Sequence, residues 1–116
     1  MDIVLYMNYE DYCHKTGQYS EVDGEEGRIE AYWSMGRVPK NFKEGEKIWI
    51  ACEGKVRGCV ICEEFNPEDL YGETIVWDSD TWELLPYKEQ IFLECKPFRG
   101  FRYRWWNDKP DKGGEG

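Results

Sequence analysis

"EKIWIACEGKVRGCVICEEF", residues 46–65, holds two runs rich in Ile, Val, Trp and Cys on either side of Glu53-Gly54-Lys55. β-branched and aromatic side chains suit a pleated, half-buried surface, and a glycine between two such runs supplies the positive-φ residue of a tight turn. The pattern predicts a β-hairpin. Gly58, inside the second run, marks either a bulge or a point where another group packs closely on the backbone, with Trp49 of the paired strand as the candidate neighbour.

Working outward, "MDIVLYM" (1–7) is an apolar run suited to a buried strand, and residues 8–15 suit one short helix before the turn chemistry of "VDGEEG" (22–27). Ile29, Ala31 and Trp33 alternate with polar residues as a half-buried strand does, ahead of Pro39 and a "KEGE" turn. Beyond the hairpin, Asn66-Pro67 opens a turn and "TIVW" (74–77) reads as a strand. "DSDTWELL" (78–85) reads as a short helix capped by Ser79 or Asp80, and "QIFLEC" (90–95) as a further strand. The expectation is a mainly β (α+β) domain, a small pseudo-barrel of five to six strands with one or two short helices.

The chain has 116 residues, which suits a single domain, here 1–106, followed by a polar 107–116 tail with nothing to bury and expected to be disordered. With 34% charged residues and a mean hydropathy of −0.79, it has no apolar run near the roughly 18 residues of a membrane span. No basic, cleavable leader is visible either, so a cytoplasmic, soluble protein without a membrane partner is expected. The net charge of −9 opposes unspecific attraction to nucleic acid or anionic lipid.

Against that acidic background stands "KPFRGFRYRWW" (96–106), with Lys96, Arg99, Arg102 and Arg104, no acid, and five aromatic rings. Read as a strand, "FRYRWW" puts Phe101, Tyr103 and Trp105 on one face and Arg102, Arg104 and Trp106 on the other. The aromatic face suits the core. The arginine face then points to solvent, to a ligand or to carboxylates of the acidic body. A second basic segment, with Arg37, Lys40 and Lys43 beside Trp33 and Met35, lies outside any evident core element.

Catalytic and metal motifs are sparse. The five cysteines are odd in number and without a secretory context, which argues against a disulfide framework. "CVIC" (59–62) resembles half a zinc motif, but on an extended strand Cys59 and Cys62 point to opposite faces, and Cys13–His14 are the only other conceivable ligands. No metal site and no cofactor are expected. His14 is the single histidine, and no nucleophile elbow, zinc-protease helix or phosphate-cradling glycine loop is present, so no catalytic residue is assigned.

The stretch "KNFKEGEKIWIACEGKVRGCVICEEF" resembles the Gly-(Asp/Glu)-x-strand-turn-strand signature of the PUA-like superfamily, in particular its ASCH and EVE branches. "KPFRGFRYRWW" is similar to the closing strand of small ASCH-like proteins. The resemblance spans roughly residues 28–106. It implies a pseudo-barrel with a cleft that binds RNA or a modified base: Arg99, Arg102 and Arg104 would contact phosphates or base edges, Trp106 would stack, Arg37 and Lys40 would form the opposite lip, and Trp33, Trp77 and Trp82 would be cage residues. Some ASCH-related proteins are amidohydrolases of acylated nucleosides that use a Lys, a Thr and a Glu. Lys15 and Thr16 are the only counterparts here, without the flanking pattern. A third reading is a protein-interaction module or homodimer face built on surplus aromatics.

Overall fold

The computed structural model describes residues 1–16, 30–34, 39–65 and 74–106. In chain order these form β1 (Ile3–Tyr6), α1 (Tyr9–Lys15), β2 (Glu30–Ser34), β3 (Lys47–Cys52), β4 (Lys55–Phe65), β5 (Thr74–Asp78), a 3-10 turn (Ser79–Thr81), β6 (Glu83–Leu84), α2 (Tyr87–Gln90) and β7 (Arg102–Tyr103). The fold is mainly β, a curled half-barrel sheet in the order β2-β5-β4-β3-β1-β7, with β6 lying beside β4. β1 and β3 run parallel, and the other pairs are antiparallel.

The hairpin is β3 and β4, and its turn residues Glu53 (φ 52°) and Gly54 (φ 86°) both take the positive φ that a two-residue hairpin turn of this hand requires. Central strands are buried on both faces, so side chains alternate between two cores. Ile3, Leu5, Ile48, Ile50, Val60, Cys62, Ile75 and Trp77 fill the larger one. Val4, Trp49, Ala51, Val56 and Cys59 fill the smaller one, which is covered from outside by Leu85, Leu93, Cys95, Phe98 and Trp106 of the C-terminal segment. Cys59 and Cys62 fall in different cores, as the strand period dictates.

α1 forms where expected. Asn8 caps it, its Oδ1 accepting from the Asp11 N–H at 2.8 Å, and Glu10 and Asp11 complement the positive helix start. At its other end the indole Nε1 of the fully buried Trp77 donates to the Lys15 carbonyl at 2.9 Å, which fixes the helix to β5. Trp77 is therefore a core residue and not part of a cage.

Three expectations are corrected. "DSDTWELL" is a single 3-10 turn capped by Asp78, whose Oδ1 accepts from the Asp80 N–H, followed by β6. A helix loses there because the backbone of 83–84 finds a ladder partner on β4. "QIFLEC" is not a strand: Gln90 ends α2, Ile91 and Phe92 are exposed, and the segment makes only an isolated bridge between Lys55 and Glu94. Its apolar residues Leu93 and Cys95 serve as the lid of the smaller core instead. "FRYRWW" pairs as a strand only at Arg102–Tyr103, opposite Val4 and Ile3 of β1, and the Arg104 N–H beyond it donates to the Asp2 carbonyl at 3.0 Å.

Gly58 shows both features that the sequence allowed, with a different neighbour. Ile50 pairs with Gly58 and Ala51 with Val56, so Arg57 is the extra residue of a β-bulge. A Cβ at Gly58 would lie 2.3 Å from the Glu83 carbonyl oxygen and 2.8 Å from the Trp82 ring. Trp82 and β6, not Trp49, occupy the space. Gly58→Ala is expected to destabilise the protein by about 2–3 kcal/mol, because backbone must move to admit the methyl group. A denaturant midpoint unchanged from wild type would refute this close approach.

Candidate ligand site

The bulge sets the direction of Arg57. Its Nε donates to the Cys52 carbonyl at 2.9 Å, Nη1 to Gln90 Oε1 at 2.9 Å, and Nη2 to the Glu53 carbonyl at 3.4 Å. Gln90 is itself buried and fixed, its Nε2 donating to the Leu85 carbonyl at 2.7 Å, while the Leu85 N–H donates to the Arg57 carbonyl at 2.8 Å. The guanidinium is thus held rigidly between the hairpin turn and α2. All three acceptors are neutral, and no carboxylate among the described residues lies within ion-pair distance of it.

Arg57 lines a recess of about 420 Å³ together with Tyr9 and Tyr12 of α1, Cys52 and Glu53 of the hairpin, Trp82, Leu84 of β6 and Gln90 of α2. Tyr9 and Tyr12 sit three apart, one turn of the helix, and therefore face the same way. The Tyr12 ring meets Trp82 edge-on, with centroids 5.6 Å apart and planes at 80°. Burial pushes the Tyr12 phenol up to about 12, partly offset by the Arg57 charge, so it keeps its proton at neutral pH. The Tyr12 hydroxyl and the Trp82 indole N–H have no partner among the described residues. The recess offers ring faces, one fixed cation and hydrogen-bond donors. This volume is in the range of small-molecule sites.

The basic C-terminal face lies elsewhere. Arg104 is largely buried, and its Nη1 contacts Asp2 Oδ2 at 3.2 Å; the same carboxylate accepts from Trp49 Nε1 at 3.1 Å and from the Lys47 N–H at 3.1 Å. Its guanidinium also lies over Trp49 and Trp106. Trp106 meets Trp49 edge-on at 5.4 Å and is part of the outer core. Arg104 and Trp106, both expected as ligand contacts, thus hold the segment after β7 onto β1 and β3. Arg99 and Arg102 are exposed, Arg102 lying 5.2 Å over the ring of the 44%-exposed Trp105.

The expected opposite lip falls only partly within the described residues. Lys40 is exposed, and Arg37 lies outside the described residues. Trp33, on β2 at the far end of the strand order from β7, packs against the larger core. Lys15 places its Nζ 4.7 Å from the centroid of Tyr32 and 5.9 Å from that of Trp33, and burial lowers its pKa. The Thr16 hydroxyl donates to the Tyr12 carbonyl at 2.8 Å.

Sequence reasoning singled out Trp82 only as a weak cage residue and missed Arg57, Tyr12 and Gln90. The signal for Arg57 was its place beside Gly58, since a bulge next to a close backbone approach turns a side chain out of the regular alternation. Compared with protein-family models, curated proteins and solved structures, the chain matches none.

Two outcomes are expected from these contacts. Asp2→Ala removes the carboxylate that accepts from the Lys47 N–H and Trp49 Nε1 of β3 and from Arg104 just past β7, and is expected to cost about 2 kcal/mol in chemical denaturation, more than Arg104→Met, whose stem still covers the indoles. The second concerns pH. All five cysteines are buried, and burial raises the thiols of Cys59 to about 11 and Cys62 to about 12. Because these folded values, like that of Tyr12, exceed the unfolded ones, the unfolded chain releases its protons first. Stability is then full at neutral pH and falls as pH rises through about 9 towards 11. Denaturation midpoints at pH 7 and pH 10 check the sign, and disulfide-exchange reagents at pH 8 should label the native thiols only slowly.

Proposed function

We propose that the chain is a binding protein for a small planar heteroaromatic ligand of the nucleobase or nucleotide class, held in the recess between α1, the hairpin turn, β6 and α2. The observation that carries this reading is the combination of three ring-bearing side chains, Tyr9, Tyr12 and Trp82, with the immobilised, carboxylate-free guanidinium of Arg57. Rings of this kind stack on a base for roughly 1–3 kcal/mol each, with little dependence on its identity. The PUA-like resemblance of the hairpin and the closing segment supports the same ligand class, since such domains hold RNA or a modified base beside the barrel.

The recess is preferred to the β7 face because Arg104 and Trp106 are engaged in packing there. The net charge of −9 also favours a pocketed ligand over a long polyanion.

Isothermal titration calorimetry with the four ribonucleosides, their 5′-monophosphates and a short single-stranded RNA tests this. Saturable one-to-one binding of at least one mononucleotide or nucleoside is expected, weakened about tenfold or more by Trp82→Leu and unchanged by Arg99→Ala/Arg102→Ala. Absence of binding by every compound overturns the reading. So does binding that survives Trp82→Leu and is lost in the double arginine variant.

A further inference from the structure

Arg57 poses a specific question of charge. The chain carries 24 acidic and 15 basic residues, yet this half-buried guanidinium, the one cation that lines the recess among the described residues, has only carbonyl and amide acceptors there. Three of its five N–H groups are engaged, which leaves one on each Nη without a protein acceptor among the described residues. A buried cation is normally compensated by an anion, because neutral acceptors restore its hydrogen bonds without balancing its charge.

The neighbouring groups share this polarity. Tyr12 keeps its proton, Trp82 can only donate, and the Gln90 carbonyl oxygen is already engaged by Arg57. Among the described residues Glu53 is the only carboxylate lining the recess; it is exposed, and the Arg57 contact to this residue is through its backbone carbonyl. The geometry is that of a preorganised fork, which favours a planar or tetrahedral oxyanion over a neutral amide of the same shape.

We infer that the ligand of this recess carries an oxyanion group, received by the free Nη N–H groups of Arg57, beside the ring that stacks against Tyr9, Tyr12 and Trp82. This rests on the ligand class proposed above and narrows it to charged members. The same chemistry has two sources, a carboxylate attached to the heteroaromatic ring or the 5′-phosphate of a mononucleotide. A single fixed cation within an acidic protein matches one such group and not a chain of phosphates.

Matched pairs separate the sources: orotate against uracil, and uridine 5′-monophosphate against uridine, titrated by calorimetry at low and moderate salt. In at least one pair the oxyanion member is expected to bind about tenfold or more tightly, and the pair with the gap identifies the source. In Arg57→Gln that gap should collapse. Since Arg57 also ties the hairpin turn to α2, folding of the variant is checked by circular dichroism, and Arg57→Lys, which keeps the charge but not the fork, gives an intermediate gap. Equal affinities within both pairs, lost in Trp82→Leu, overturn the oxyanion inference and leave the heteroaromatic reading standing. A gap that persists in folded Arg57→Gln also overturns it; where none of these four binds, the same comparison is made between each other ribonucleoside and its 5′-monophosphate, and no binding by any of them overturns both.

Discussion

A missing methyl group at Gly58 is the constraint on which the site depends. Because that position has no Cβ, the Glu83 carbonyl and the Trp82 ring lie directly against β4, at distances where any side chain would collide with backbone. That contact lets β6 join the sheet and brings Trp82 to the mouth of the recess. The adjacent bulge moves Arg57 out of the strand alternation, and the Leu85 N–H bonds the bulged residue's carbonyl. Glycine, bulge and short strand are one arrangement. Each part places a different wall of the same cavity.

The C-terminal segment has a complementary task. A sheet whose central strands are apolar on both faces must be covered twice. α1 and Phe101 pack on one side, while Leu85, Leu93, Cys95, Phe98 and Trp106 cover the other, where Asp2, Arg104 and Trp49 pin the segment. Closure of the fold thus accounts for part of the composition of 96–106: Phe98 and Trp106 cover the outer core, Phe101 enters the larger one, and Arg104 meets the carboxylate that links β1 to β3, whereas Lys96, Arg99 and Arg102 are exposed. Asp2, an unremarked acid among many, is the counter-charge that this closure needs.

Much of the architecture was legible because it rests on local signals. The hairpin, β1, β5, α1 and the opposite facing of Cys59 and Cys62 follow from strand period, turn chemistry and capping. The C-terminal half was misread where tertiary pairing overrides local pattern: Glu83–Leu84 forms a strand because β4 offers an edge beside Gly58, and Leu93 and Cys95 are buried without belonging to a ladder. The site was least legible. Tyr9, Tyr12, Arg57, Trp82 and Gln90 come from four separate segments, and no periodicity connects them. Clustered arginines drew attention to β7, while the guanidinium that lines the recess is the one arginine of β4.

The grouping of the indoles has an optical consequence. Trp49, Trp105 and Trp106 form a chain of edge-on rings, 5.4 and 5.0 Å between centroids, whereas Trp82 stands apart beside Tyr12. Rings this close couple, so the trio of Trp49, Trp105 and Trp106 contributes a near-ultraviolet dichroism that reports whether the segment after β7 is docked on β3. Trp82 couples instead to Tyr12 and forms a group of its own. Two regions of one small domain are therefore spectroscopically separable without any introduced label, one following closure of the outer core and the other the occupancy of the recess.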